Sequence, residues 1–263
     1  MITLIGHGYV GKYIAGTLFA EGREFYWINH NQGIPWGTSF IINATGHTGV
    51  PNVDSCENEK DATIQGNVLY PLMLEKWASA LSIPVLHISS GCVYTGYKDG
   101  GWTEEDAPNF TFDNGSFYSA SKALFQELFA QYAYKSYLFR IRMPFGPDKD
   151  QKNLLTKLTK YDKLVNKLNS ITQLEELAKC VLYFADNRPD FGVYNAVNPG
   201  GVYTDQIAKF LNLNKQILTP EEEKLVMVAP RSNCTLNTDK MQAVFKFTNS
   251  DEALSKTILK MDK

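Results

Sequence analysis

The sequence predicts an α/β chain built on a doubly wound parallel sheet, with a smaller C-terminal lobe. Three observations carry this. A glycine-rich turn, Gly6-His7-Gly8-Tyr9-Val10-Gly11, separates an N-terminal apolar run from a helical stripe. Short apolar runs alternate with helix-period segments through the first two-thirds of the chain. After about Asp148 the texture changes: lysines become frequent, and helical segments alternate with short extended pieces.

Each element has a local reason. Ile2–Ile5 is apolar and β-branched, a strand. Val10, Ile14 and Leu18 recur every four residues, the stripe of a helix lying on a sheet, and Gly22 closes it. Phe25–Ile28 and Ser39–Ala44 read as strands, and 61–81 reads as one amphipathic helix. Pro84–Ile88 reads as a buried strand, Phe117–Tyr132 as a helix and Tyr137–Ile141 as a strand. Helices then follow at about Leu154–Tyr161, Leu174–Ala185, Thr204–Leu211 and Asp251–Met261, and Gly192–Val197 is extended. Residues 1–148 are expected to form a nucleotide-binding unit and 149–263 a smaller substrate-binding lobe, within one compact unit that leaves room for the chain to cross between the lobes.

Bulk properties exclude several classes. A chain of 263 residues, 44% hydrophobic and 21% charged, can bury a full core. A net charge of -2 gives no basic field for nucleic acid. No apolar run approaches the roughly 18 residues of a membrane span, and Met1 is followed directly by the first strand, without a signal peptide. Cys56, Cys92, Cys180 and Cys234 are scattered, with no C-x-x-C pair, and no two of the four histidines stand at i,i+4. No metal site is expected. Reduced thiols and a cytoplasmic location are.

The glycine turn has the G-x-G-x-x-G form between strand and helix. The first glycine makes the tight turn, the second lets backbone approach a pyrophosphate, and the third lets helix pack on strand. Gly6, Gly8, Tyr9, Val10 and Gly11 are therefore expected at a dinucleotide's phosphates. At the end of the second strand, where an acid would hold the ribose of NAD, stand Asn29-His30-Asn31. Asn29 and His30 tolerate a 2′-phosphate, so NADPH is expected, with NADH as the alternative. About ten residues separate this strand from Phe40, too few for the usual further strand and helix, so the adenine side is cut down. Ala44, Thr45 and Gly46, after the next strand, and Met143 complete the expected cofactor contacts.

Tyr118-Ser119-Ala120-Ser121-Lys122 is Y-x-x-x-K, which on a helix puts phenol and ammonium on one face, one turn apart. A lysine there stabilises the phenolate and lowers the tyrosine's pKa. Ser90, at the end of a buried strand, can hold a substrate carbonyl beside it. Asn67 reads equally as a supporting group or as a buried helix amide.

With these pieces the chain resembles the extended short-chain dehydrogenases of Rossmann type that modify nucleotide sugars. Segments around His47–Glu57, Ser90–Tyr94, Glu104–Phe110, Gly115–Ser119, Arg140–Pro144, Asn153–Asn169 and Ala229–Asn233 narrow the likeness. They are similar to the plant-type UDP-4-keto-6-deoxy-glucose 3,5-epimerase/4-reductases and, more distantly, to dTDP-4-dehydrorhamnose reductase and GDP-fucose synthase. The resemblance implies a Ser90, Tyr118 and Lys122 reductase triad, with Cys92 and Lys157 as epimerase acid-base groups. It implies Arg231 at the substrate diphosphate, with Thr48, Asn52, Ser90, Gly91, Cys92 and Asn153 beside the sugar nucleotide.

The implied reaction converts a UDP- or dTDP-linked 4-keto-6-deoxy-glucose to the L-rhamnose nucleotide. With its first strand at Met1, the chain is expected to lack a 4,6-dehydratase half and to depend on a separate enzyme upstream. A homodimer fits this reading. Two rivals stand beside it: a 4-keto-sugar reductase without epimerase activity, which has no need of a thiol at Cys92, and a non-catalytic dinucleotide sensor. The intact Ser90, Tyr118 and Lys122 argue against the sensor.

Overall fold

A computed structural model describes residues 1–50 and 52–261. Its centre is a six-stranded sheet in which every pairing is parallel. Five strands are β1 (Ile2–Ile5), β2 (Phe25–Ile28), β3 (Phe40–Asn43), β4 (Val85–Ser90) and β5 (Ser136–Ile141), and the sixth is Gly192–Asn195. The spatial order is Gly192–Asn195, β5, β4, β3, β1, β2. The helices are α1 (Tyr9–Ala20), α2 (Lys60–Ile64), α3 (Tyr70–Ala80), α4 (Phe117–Tyr132), α5 (Leu154–Lys160), α6 (Leu174–Asn187), α7 (Thr204–Phe210), α8 (Pro220–Val226), α9 (Asp239–Val244) and α10 (Ser250–Met261).

The inner strands are buried at nearly every position because both faces are covered. Successive side chains point to opposite faces. Leu4, Ile42, Leu86 and Phe139 meet Ile14 and Leu18 of α1 and Leu177 and Phe184 of α6. Their neighbours Ile5, Ile41 and Val85 meet Tyr70 and Leu74 of α3, while Leu138 meets Phe125 and Phe129 of α4. The chain leaves β1 for β2 on one side and then returns to β3 on the other. That reversal opens a crevice above the carboxyl ends of β1 and β3, where such sheets take ligands. The sheet ends at β2, whose Tyr26 and Trp27 are partly exposed as befits an edge.

Two expectations change, and one further helix was not expected. The 61–81 segment is not one regular helix. A π turn at Gln65–Leu69 joins α2 to α3. Pro71 explains it: proline has no N–H to donate, and its ring crowds the carbonyl four residues back, that of Asn67. Gly192–Asn195 does not belong to the smaller lobe. It pairs with β5, Gly192 opposite Tyr137 through Asn195 opposite Arg140, so the chain crosses back into the main sheet. The boundary near Asp148 thus marks a change of sequence texture, since α6 and this strand return to the first body. The remaining lobe has its own core of Leu155, Leu158, Ile171, Ile207 and Leu254. Finally, α8 buries no residue, so apolar periodicity could not reveal it; its signal is the Thr219–Glu222 capping box with Pro220 in the first turn.

Among the described residues, no helix is long and apolar enough to cross a membrane, no cluster of His, Cys, Asp and Glu could hold a metal, and all four cysteines are free.

A buried polar chain ties strands β3, β4 and β5 to α3. The Asn43 amide donates to His87 Nδ1 at 3.0 Å, so the imidazole carries its proton on Nε2, 2.8 Å from Glu75 Oε1. Ser136 donates to the other Glu75 oxygen at 2.8 Å. His87 and Glu75 are 1% and 3% exposed, so removing either strands the other away from water. His87→Phe is expected to reduce the unfolding free energy by about 3–5 kcal/mol. Urea denaturation checks this; a loss below about 1 kcal/mol would show that the pair is dispensable.

Candidate active site

The turn after β1 is shaped by contact. Gly6 has φ +107, and a Cβ there would lie 2.9 Å from the Ala44 carbonyl oxygen. A Cβ on Gly11 would lie 2.2 Å from the Gly6 oxygen. Around Gly8 there is open space, and the first turn of α1 has neither a side-chain cap nor an acid. Free backbone N–H groups and the positive end of a helix suit a pyrophosphate. Beside this turn lies a hollow of about 470 Å³ lined by His30, Thr45, Gly46, Gly66, Tyr70 and Met73. The residues present fit a dinucleotide.

At the end of β2, His7 stacks on Trp27 at 4.6 Å and bonds Asn29 Oδ1 at 2.7 Å, while Asn29 and His30 are exposed. The Tyr9 side chain turns away from the phosphate position. It shares the Asp148 carboxylate with Tyr13, and burial raises both phenols above their ordinary range. Val10 packs into the sheet core, so Tyr9 and Val10 offer backbone alone to a cofactor. Met143 has φ +40, a strained conformation for a side chain of its size, just after β5.

Helix α4 is fixed by polar contacts at its start. Ser116 Oγ accepts the Ser119 N–H at 3.2 Å, and Glu57 Oε1 accepts the Phe117 N–H at 2.7 Å. Gln126 donates to the Ser90 carbonyl at 2.8 Å. Asn67, fully buried in the π turn, donates to Ser121 Oγ and the His47 carbonyl and accepts the His47 N–H. It therefore clamps the loop after β3 to α4. Ser90, Tyr118 and Lys122 come together here, 5%, 9% and 6% exposed, with the Tyr118 phenol beside Ser90. A Cβ on Gly46 would sit 3.0 Å from Lys122 Nζ, so the loop passes close to the ammonium.

The expected lowering of the tyrosine is not found. Burial pushes Tyr118 well above its ordinary value, aided by the nearby Cys92, and outweighs the opposing influence of Ser90 and Arg142. Burial also brings Lys122 down to about 8. Tyr118 is thus kept in its protonated form.

Cys92 is the one half-buried cysteine; its N–H bonds Ser90 Oγ at 3.0 Å, and Arg142 Nη1 donates to its sulfur at 3.3 Å. Lys157, on α5, is partly buried and its pKa is lowered by burial, then by Lys152 and Arg231. Lys152 donates to Thr48 Oγ1 at 2.6 Å, and Arg231 pairs with Asp54 at 2.6 Å. Lys152 and Arg231 thus stand against Thr48 and Asp54, with Lys157 near both cations, while Pro51 lies outside the described residues. Lys152 belongs to this cluster, although its lysine-rich neighbourhood reads in sequence as a solvated face.

Three expected substrate contacts are committed elsewhere. Asn153 is fully buried, capping α5 and donating to the carbonyls of Gly146 and Asp148. Asn52 caps the short helix Val53–Glu57. Gly91 packs so tightly that a Cβ would lie 2.7 Å from Leu236 and 2.9 Å from Arg142. The sequence reading missed Arg142, and its signal was two arginines in the otherwise apolar strand end 136–145.

The RmlD substrate binding domain model matches residues 36–262. The chain is 36% identical over 239 residues to the bifunctional dTDP-4-dehydrorhamnose 3,5-epimerase/dTDP-4-dehydrorhamnose reductase of Arabidopsis thaliana, covering 86% of this chain and 78% of that protein. It is also 36% identical over 219 residues to a trifunctional UDP-glucose 4,6-dehydratase/UDP-4-keto-6-deoxy-D-glucose 3,5-epimerase/UDP-4-keto-L-rhamnose-reductase of the same plant. That match covers 78% of this chain and spans 32% of the trifunctional protein. In fold, it is similar to the crystal structure of a UDP-rhamnose synthase from Acanthamoeba polyphaga mimivirus, with a TM-score of 0.91 over 99% of both chains at 24% identity.

The depressed Lys122 has a consequence for stability. Its folded pKa of about 8 lies below the unfolded value of 10.5. Below the folded value both states hold the proton, and the cost of burying the charge is present in full. As pH rises from the folded value toward the unfolded one, the folded lysine sheds its proton and the cost fades. Lys122→Met is therefore expected to raise the thermal midpoint at about pH 7 by about 3 °C or more, and to gain clearly less at about pH 10. An equal gain at both would contradict the burial of a charged amine.

Proposed function

We infer the reaction from kinship and geometry together: the chain belongs to the RmlD substrate binding domain family, and Ser90, Tyr118 and Lys122 meet at a dinucleotide crevice beside Cys92. We propose that it takes a UDP- or dTDP-linked 4-keto-6-deoxy-glucose, inverts C3 and C5, and reduces the C4 ketone to give the L-rhamnose nucleotide. The observation that carries the reading is one wall with two kinds of acid-base group, a buried phenol held protonated and a half-buried thiol two residues after Ser90. The Arabidopsis thaliana protein, whose name joins the two activities, supports it.

When bound, NADPH supplies the hydride; the chain's residues do the rest. Ser90 holds the ketone oxygen, and Tyr118 gives that oxygen its proton as charge develops there. The Lys122 ammonium offsets the phenolate left behind. The 4-ketone makes the hydrogens on C3 and C5 acidic, and Cys92 and Lys157 serve as the pair that removes and returns protons. Lys157, lowered by burial and by two neighbouring cations, parts with a proton more readily than an ordinary lysine. Lys152 and Arg231 supply positive charge for the diphosphate, with Arg231 exchanging its Asp54 partner for phosphate oxygens. The absence of an acid at Asn29-His30-Asn31 favours NADPH over NADH. The substrate's chemistry requires a preceding 4,6-dehydration, and the free thiols suit a reducing cytoplasm.

Incubation with UDP-4-keto-6-deoxy-glucose and NADPH, followed by NMR of the sugar, tests this. The L-rhamnose nucleotide is expected, with NADPH serving at least as well as NADH. Tyr118→Phe should slow NADPH oxidation about a hundredfold or more while sugar binding persists. A product reduced at C4 with C3 and C5 uninverted would remove the epimerase half. Near-normal turnover by Tyr118→Phe would remove the proton-donor assignment.

A further inference from the structure

Arg142 is 2% exposed, yet no acid neutralises it. Its Nη1 donates to the Gly91 carbonyl at 3.2 Å, to Cys92 Sγ at 3.3 Å and to Ser232 Oγ at 2.7 Å. Its Nη2 donates to Asn169 Oδ1 and to the Ser232 carbonyl, and Nε has no acceptor. None of the ion pairs among the described residues includes it. A buried guanidinium held only by neutral groups is costly, so what it does for its neighbours matters.

The titratable groups whose charge reaches Arg142 are Cys92, Cys234, Tyr97 and Tyr118. Burial pushes the last three toward their neutral forms. Cys92 differs by position. It is half-buried, stands next to the Ser90 and Tyr118 wall, and has a guanidinium nitrogen directly on its sulfur. Lys122 also adds positive charge within reach of Cys92.

We propose that Arg142 is a positioning residue for Cys92, fixing its sulfur on the cleft wall and supplying the counter-charge whenever that sulfur is anionic. The proposal rests on the epimerase reading above. When Cys92 takes a proton from the sugar, the S–H bond forms as the C–H bond breaks, and the electron pair passes into the enolate oxygen. In the reverse sense the sulfur gives up its proton to carbon. Either way it carries negative charge at one stage, and Arg142 is the charge that meets it. Ser232, Asn169 and Gly91 then have one task, to hold the guanidinium still.

Iodoacetamide tests this, since it consumes the anionic form of a thiol. The label on Cys92 is followed by mass spectrometry of its peptide at about pH 7, with neither sugar nor cofactor present, so the result stands apart from whether the sugar is epimerised. Arg142→Gln, which keeps hydrogen-bond donors but loses the charge, should slow labelling about tenfold, the factor for one charge-assisted hydrogen bond. Arg142→Lys should restore most of the rate. A purely structural arginine would give the opposite sign, because loosened packing exposes the thiol and speeds labelling. An unchanged or faster rate in Arg142→Gln overturns the proposal. The wild type gives a second test independent of any variant's folding: native Cys92 should label faster than Cys92 in the urea-unfolded chain, and slower labelling in the native protein overturns the proposal.

Discussion

Everything at the candidate site depends on how helix α4 is fastened to the carboxyl edge of the sheet. Apolar packing of Phe125 and Phe129 would hold the helix down without fixing its rotation. Buried hydrogen bonds do that. Ser116 and Glu57 anchor the first turn, Asn67 bonds Ser121 in the middle, and Gln126 reaches the Ser90 carbonyl further on. Gln126 is itself held by Arg140 at 2.9 Å, so the strand that carries Ser90 and its neighbour β5 share the same network. A rotation of α4 by one residue would break several of these bonds at once, most of them buried where water cannot replace them. The helical repeat then puts Tyr118 and Lys122 on one face, toward Ser90.

The site also concentrates buried positive charge without matching carboxylates. Lys122 and Arg142 are both nearly inaccessible, and neither forms an ion pair with an acid among the described residues. Such charges destabilise the folded state by themselves. They become favourable when negative charge arrives, whether as developing charge on a ketone oxygen, a phenolate, a thiolate or a phosphate. The cost to the fold is offset elsewhere, by the two-sided core and by polar chains such as Asn43–His87–Glu75 in which every member has a partner.

Much of this was legible in the sequence where a residue type answers to a purely local constraint. Gly6, Gly8 and Gly11 report a backbone turn, and Tyr118 and Lys122 report a helical repeat. What stayed hidden depends on contacts between distant segments. Asn153 reads as a ligand residue until its amide is seen spent on the carbonyls of Gly146 and Asp148. Lys152 reads as one surface lysine among several until Thr48, far back in the chain, is found beside it. Gly192–Asn195 is too short and too mixed to announce which sheet it joins. The expected drop in the Tyr118 pKa failed because spacing says nothing of burial, and burial is the larger effect.

We propose that one cleft carries two separable chemistries, proton transfer at carbon and reduction at the ketone. Proton exchange needs no hydride, so the most direct measurement omits the nicotinamide. The keto sugar is incubated with the protein in heavy water and its C3 and C5 positions are followed by NMR. Deuterium is expected to enter both positions with the wild-type protein, and far more slowly with Cys92→Ser, whose hydroxyl is a much weaker acid than a thiol. Absence of deuterium from both carbons with the wild-type protein would contradict the claim, leaving a cleft that only reduces.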